Sequence, residues 1–227
     1  MSPPAHGFRL IVFDVDGTLV DSQHAIMSVM AAAFAAEGLP APALAAVRRQ
    51  VGLGIEETMA RLLPEAEEAT RRRLSQGFRD AAHALRSTRG FAEPLYPGIL
   101  EALDGLRHPE VFLAIATGKA RPGLDFTLSR HGLTALFHSL QTADRNPSKP
   151  DPAMLLNAMA EVGAEPWETV FIGDSVFDMT MAANAHTAAL GVAWGYHDPE
   201  DLRAAGAERI IQSPGELGPA LAAMGVR

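Results

Sequence analysis

A chain of 227 residues, 48% hydrophobic and 20% charged, has room for one full α/β core plus a smaller insertion, and its composition fits neither disorder nor a membrane protein. A formal net charge of −8 makes nucleic acid a poor partner, and the absence of cysteine excludes disulfides and thiol catalysis. No apolar stretch exceeds strand length, so no membrane span is expected. Met1–Gly7 lacks the basic and apolar pattern of a signal peptide, which sets the expectation of a cytoplasmic protein.

The first element is the most informative. Leu10–Phe13 is a short apolar run that reads as a buried strand, and it breaks into a polar loop carrying Asp14, Asp16, Gly17 and Thr18. Two carboxylates at i and i+2 beside an apolar strand repel each other in a partly buried site. Such a pair persists when a hard divalent cation offsets the charge, or when one acid is a nucleophile and the other an acid/base. The bland alternative is an acidic strand-to-helix loop in which Asp16 caps a helix.

After Asp21 the period changes from strand to helix. Ser22 is a candidate cap for a helix carrying Ile26, Met30, Ala33 and Phe34 on one face, ended at Gly38-Leu39-Pro40. Leu44, Val47 and Val51 mark a second helix stopped at Gly52, and Ile55, Met59, Leu62 and Leu63 a third ending at Pro64. A long helix from about Ala66 to Ser87 presents Leu74, Phe78, Ala81, Ala82 and Leu85. The one tight basic run, Arg71-Arg72-Arg73, follows Glu65–Glu68 and reads as a salt-bridged, solvated face.

From Tyr96-Pro97-Gly98 onward helix and strand alternate. Val111–Ala116 is an apolar strand leading into Thr117-Gly118-Lys119, and Lys149-Pro150-Asp151-Pro152 precedes an amphipathic helix. Val170–Ile172 leads into Gly173-Asp174-Ser175 and Asp178, and Ile210-Ile211 precedes a last helix. This order predicts an α/β fold: a Rossmann-like, mostly parallel sheet formed by 1–21 and 95–227, with 22–94 an inserted all-helical domain.

The motifs DxDxT at Asp14–Thr18, Thr117 at a strand end, Lys149 before a helix, and GDxxxD from Gly173 to Asp178 occur in this order. By them the chain resembles the haloacid dehalogenase-like (HAD) phosphohydrolase superfamily, in its members with a helical C1-type cap. The resemblance implies an Mg2+-dependent phosphatase. Asp14 is then the nucleophile that forms an aspartyl-phosphate, and Asp16 protonates the leaving alkoxide and later takes a proton from water. Thr117 and Lys149 hold the phosphoryl oxygens, because phosphoryl transfer depends chiefly on positioning and charge neutralisation. Mg2+ is implied on the Asp14 side chain, the Asp16 backbone carbonyl and Asp174, with Asp178 a further ligand or a group orienting metal-bound water. Thr18 braces the loop or touches substrate. The helical insertion would be a mobile cap that excludes water and reads the leaving group.

Taken singly, each motif has a plainer reading. Thr117 could be a helix cap, Lys149 a solvated lysine before a helix led by Pro152, and Asp174 with Asp178 a helix N-terminal pair. Gly173-Asp174-Ser175 also resembles the GDS block of a serine-esterase family, with His186 or His197 as base. That block lies near the N-terminus of those proteins and would leave Asp14 and Asp16 unexplained. Gly118-Lys119 is no P-loop, since Leu113 stands where a glycine is required, and Gly52-Leu53-Gly54 lacks the third glycine of a dinucleotide fingerprint. The eight histidines show no zinc-ligand spacing.

The expected partner is a small phosphorylated metabolite, with no nucleic acid and no membrane, and the chain a monomer or homodimer. Gly52-Leu53-Gly54, between two cap helices, is similar to the corresponding stretch of phosphoglycolate phosphatases, or its glycines merely end a helix and turn the chain. That similarity makes 2-phosphoglycolate the leading substrate and adds Gly52 and Gly54 to the expected contacts, with Gly118 of the Thr117-Gly118-Lys119 motif a further one. Lys119 and Arg121 meet an anionic substrate or are solvated. A pyrophosphatase or sugar-phosphate phosphatase follows. A phosphotransferase of the β-phosphoglucomutase type is disfavoured because Gly52–Glu57 offers no basic residue. Dehalogenases and phosphonate hydrolases lack an acid at the position of Asp16. A non-catalytic sensing module would have lost at least one motif.

Overall fold

Segments of three to six residues, most of them apolar, form six strands in the computed structural model, which describes residues 7–225: β1 (Leu10–Phe13), β2 (Phe112–Thr117), β3 (Ser139–Thr142), β4 (Thr169–Gly173), β5 (Ala188–Val192) and β6 (Arg209–Ile211), the last the shortest. The expectations placed on Met1–His6 and on the final two positions of the core lie outside the described residues. All five strand pairings are parallel, in the order β3-β2-β1-β4-β5-β6. Strand order therefore reverses at β1, whose Phe13 is in register with Ile115 of β2 and Ile172 of β4. The carboxyl ends of these three strands open a crevice at that switch point, where open α/β sheets bind ligands.

Ten helices surround the sheet or extend from it among the described residues. The first four are α1 (Gln23–Ala36), α2 (Leu44–Arg48), α3 (Ile55–Leu62) and α4 (Glu68–Arg86). The rest are α5 (Ile99–Gly105), α6 (Arg121–Arg130), α7 (Ala153–Val162), α8 (Val176–Asn184), α9 (Pro199–Ala204) and α10 (Leu217–Gly225). The period-two alternation of a strand divides the core into two layers. Ile11 and Phe13 face Leu103 of α5, Leu128 of α6 and Leu221 of α10, while Leu10 and Val12 face Met154 of α7 and Met179 of α8. With apolar groups on both faces, the strands read as continuous hydrophobic runs.

Helices α1–α4 close on their own apolar cluster of Met30, Phe34, Val47, Met59 and Leu74, each buried. Burying such a side chain stabilises by roughly 1.5–3 kcal/mol. Several details depart from the sequence expectation. Ser22 occupies the position before α1 but makes no cap; its hydroxyl lies 3.1 Å from the Tyr196 hydroxyl, a partner far along the chain. Ile26 is only partly buried, whereas Val29 is buried. Helix α2 stops at Arg48 rather than reaching Val51, because Gln50 and Val51 bond three residues back in tighter turns and Gly52 follows with φ +104°. Leu44 is largely exposed. Along α4 the fully buried positions are Leu74 and Ser75. The basic run of α4 is paired as expected: Arg72 with Glu68, Arg73 with Glu37 at 2.8 Å, and Arg71 donating to the Leu63 and Pro64 carbonyls. None of the described helices is long and apolar enough to cross a membrane.

Candidate active site

The β1 strand delivers Asp14 to the switch point, and a tight loop turns the chain immediately after it. The amides of Thr18, Leu19 and Val20 all bond the Val15 carbonyl, and the Gly17 amide bonds that of Val20. Gly17 has φ +86°, and a Cβ there would stand 2.3 Å from Asp174 Oδ2, so only glycine admits both the turn and the approach of the carboxylate. Asp14 is 1% exposed; its Oδ1 accepts from the Val15 amide at 2.7 Å, while its Oδ2 is buried without a hydrogen-bond partner.

Lys149 is buried, which removes the reading of it as a solvated lysine. Its Nζ lies 2.6 Å from Asp178 Oδ1 and 3.1 Å from Asp14 Oδ1, and 5.2 Å from the centre of the Phe171 ring. Asp178 also closes the start of α8: its Oδ2 accepts from the Ser175 amide at 3.0 Å and from the Ser175 hydroxyl at 2.8 Å. The helix-flanking reading of Asp178 is therefore correct, and it coexists with the contact to Lys149. The esterase alternative fails here, since the Ser175 hydroxyl donates to a carboxylate, not to His186 or His197, and His197 Nδ1 faces the Val176 amide. Asp174 accepts from the Thr18 hydroxyl at 2.9 Å through Oδ1 and from the Tyr196 amide at 2.8 Å through Oδ2. Thr18 thus braces Asp174, and the Trp194 ring nitrogen donates to its carbonyl.

Asp14, Asp174 and Asp178 each offer a carboxylate oxygen within 4.8 Å of the other two. Three buried carboxylates face one buried ammonium. The electrostatics register the imbalance: burial pushes the Asp14 carboxyl up to about 7, with Lys149 opposing and Asp178 and Asp16 reinforcing the rise. Burial likewise raises Asp174 well above the carboxylate range, helped by Asp178 and Asp14. Burial disfavours the Lys149 ammonium, but Asp14 and Asp178 outweigh it and hold its pKa above the ordinary lysine value. A divalent cation is the charge this cluster lacks, and the unpartnered Asp14 Oδ2 is an oxygen ready to receive it. The Asp16 carboxylate is not in this trio.

Asp16 instead faces Lys119, whose Nζ lies 2.9 Å from Asp16 Oδ1 and 3.0 Å from Glu93 Oε1. Lys119 is therefore not a solvated loop lysine. Glu93 is fixed in turn by the Thr127 hydroxyl at 2.8 Å. No motif marks Glu93, and only its contact across 26 residues of chain gives it a place in the site. Thr117 is buried at the end of β2 and its Oγ1 accepts from the Lys119 amide; the residue that caps α6 is Ala120, three positions later, so Thr117 caps no helix. A Cβ on Gly118 would stand 2.5 Å from the Leu53 carbonyl and 2.6 Å from that of Gly52, so the loop between α2 and α3 rests on this glycine. The Gly54 amide donates to the Ser148 hydroxyl at 2.8 Å.

Between α1–α4 and the sheet lies a cleft of about 410 Å³. Asp14, Asp16, Thr117, Gly118 and Lys119 line it at the sheet, and Gly52 at the helical side. Phe78, Ala82 and Leu85 of α4, which helical spacing assigns to a core, also line it, which is why they are only partly buried.

Residues 11–192 match the family described as haloacid dehalogenase-like hydrolase. The chain is 34% identical over 215 residues to "Probable phosphatase IndB" of Dickeya dadantii (strain 3937), covering 92% of this chain and 91% of that one. It is 30% identical over 217 residues to a phosphoglycolate phosphatase of Vibrio vulnificus (strain YJ016), covering 92% and 94%. A hydrolase from Pseudomonas syringae has a similar solved structure, with a TM-score of 0.81 at 28% identity over 93% of this chain and 96% of that one.

Proposed function

The chain is a phosphatase of the haloacid dehalogenase-like hydrolase family, and from that premise we propose that it hydrolyses a small phosphorylated metabolite through an aspartyl-phosphate on Asp14, with Mg2+ as its cation. One observation carries the reading: Asp14, at the switch point, touches Lys149 on one oxygen and has the other without a partner, beside Asp174 and Asp178.

The Asp14 carboxylate attacks phosphorus, forming an O–P bond as the bond to the leaving oxygen breaks. Asp16 gives its proton to that oxygen, then takes one from the water that attacks the phosphoryl group and frees Asp14. Lys119 holds the Asp16 carboxylate in place from one side. Lys149 and Thr117 would hold the transferring phosphoryl oxygens, with the buried ammonium matched to their charge. Asp14, Asp174, Asp178 and the Asp16 carbonyl would hold the cation, which when bound neutralises phosphate oxygens and prefers oxygen ligands. Thr18 acts through Asp174. Residues 22–94 would form a cap over the core of 1–21 and 95–227, and the separate apolar cluster of α1–α4 supports that division. Gly52 and Gly118 would seat the cap loop above the phosphate, with Gly54 anchored to Ser148.

The name of the Vibrio vulnificus relative supports 2-phosphoglycolate as substrate, as does the glycine loop between α2 and α3. The test is phosphate release from a panel of metabolite phosphates with Mg2+ and with EDTA. Mg2+-dependent release led by 2-phosphoglycolate is expected; release that EDTA leaves unchanged would overturn the cation assignment.

A further inference from the structure

The lining of the cleft contains three lysine or arginine side chains, and two are already engaged. Arg79 pairs with Glu56, and Lys119 is held between Asp16 and Glu93. The third, Arg86 in the last turn of α4, makes no hydrogen bond or ion pair among the described residues and is partly buried. Burial pushes its pKa down, and Glu93 opposes that fall, yet no hydrogen bond or ion pair joins the two, and the Glu93 carboxylate accepts instead from Lys119 and Thr127. A guanidinium stripped of part of its water and left without an acceptor is costly unless a ligand supplies one.

The position of Arg86 suits a substrate group. A Cβ on Gly123 would lie 3.1 Å from Lys119 Cγ and 3.7 Å from Arg86 Nη1, so the two cationic side chains flank one glycine. Lys119 reaches from there to Asp16 at the catalytic floor. Arg86 therefore borders the cleft next to Lys119, the side chain that reaches Asp16, the proposed acid to the leaving group.

We infer that Arg86 determines specificity by binding a carboxylate on the leaving group, so that the preferred substrates are phosphate esters of hydroxy acids. A guanidinium matches a carboxylate with two parallel N–H donors, and a monoanion suits a place beside Glu93 better than a second phosphate does. The inference rests on the phosphatase reading above and sharpens it.

The test compares 2-phosphoglycolate with ethyl phosphate, which has a methyl group in place of the carboxylate. Steady-state kinetics are measured for the wild type and for Arg86→Met, Arg86→Gln and Arg86→Lys, each first checked for cooperative thermal unfolding. Loss of a charged hydrogen-bonding partner predicts that the ratio of kcat/KM values, acid over ethyl ester, falls about tenfold or more in Arg86→Met and Arg86→Gln. The loss should lie in KM, and Arg86→Lys should recover part of it. An unchanged ratio in the neutral variants, with phosphate still released, would overturn the role of Arg86 alone. Wild-type preference for ethylene glycol bisphosphate over 2-phosphoglycolate would overturn the carboxylate. No release from either ester by the wild type would overturn the phosphatase reading and this inference together.

Discussion

Among single residues, Lys149 holds the site together, buried between Asp14 and Asp178. Removing its charge leaves two carboxylates uncompensated, and breaking a buried pair by deleting one partner costs on the order of 3–5 kcal/mol. Lys149→Met should therefore lower unfolding stability by about that amount in a denaturant titration and abolish turnover; a loss below about 1 kcal/mol would contradict the pairing. The raised carboxyls of Asp14 and Asp174 make a second prediction. A carboxyl whose pKa is higher in the folded state binds its proton more readily there, so stability falls as pH rises from about 4 through about 7. Lys149 does not cancel this, because its contribution is present throughout that window and is lost only at strongly alkaline pH. A cation takes the place of the protons, so Mg2+ should raise the melting temperature more at pH 8 than at pH 5.5. Equal increments at the two pH values would contradict the assignment of this cluster to the cation. Asp14, Asp174 and Asp178 were legible because each follows or starts an element that its apolar neighbours announce. Glu93 and Arg86 were not, since their meaning comes from partners, or a missing partner, that only the fold brings near.

Elements position these groups through register and through close contact. Parallel pairing of β1 with β2 and β4 brings the chain segments carrying Asp14, Thr117 and Asp174 out at the same edge. The loop between α2 and α3 reaches that edge only because Gly118 has no side chain. Gly118→Ala would place a carbon 2.5 Å from a backbone carbonyl, forcing the loop away. Overpacking of this kind costs typically about 1–3 kcal/mol, so the melting temperature should drop modestly and kcat/KM about tenfold or more. Kinetics like those of the wild type would mean that the loop has no part in substrate contact. Helical periodicity locates α1, α3 and α4 and their core positions Met30, Phe34, Met59 and Leu74, but does not show which residues border the cleft. Phe78, Ala82 and Leu85 have the spacing of core residues and yet border the cleft, because a cavity between layers wants the same apolar side chains as a core. The end of α2 was misjudged because the turns at Gln50 and Val51 depend on Gly52 at positive φ, a choice that hydrophobic spacing does not encode.

At the scale of the whole molecule, alternation of strand and helix after Tyr96 was enough to read a parallel α/β sheet, and the sheet supplies the reason for the site's location. The strand order reverses at β1, so the crevice opens where the first motif ends. The helical stretch between the first two strands then stands over that crevice with a cleft beneath it, an arrangement suited to reading a leaving group. Sequence could place helices between the first two strands, but not the size or lining of the space beneath them. The central claim is that Asp14 carries the phosphoryl group. Its most direct test is acid quenching of the wild type and Asp14→Asn during turnover of 2-phosphoglycolate with Mg2+, followed by mass spectrometry of their peptides and assay of released phosphate. An acid-trapped phosphoryl group is expected on the wild-type peptide containing Asp14. None is expected in the variant, whose turnover falls by on the order of 10³-fold or more while its melting stays cooperative. Phosphate release sustained by Asp14→Asn would contradict it.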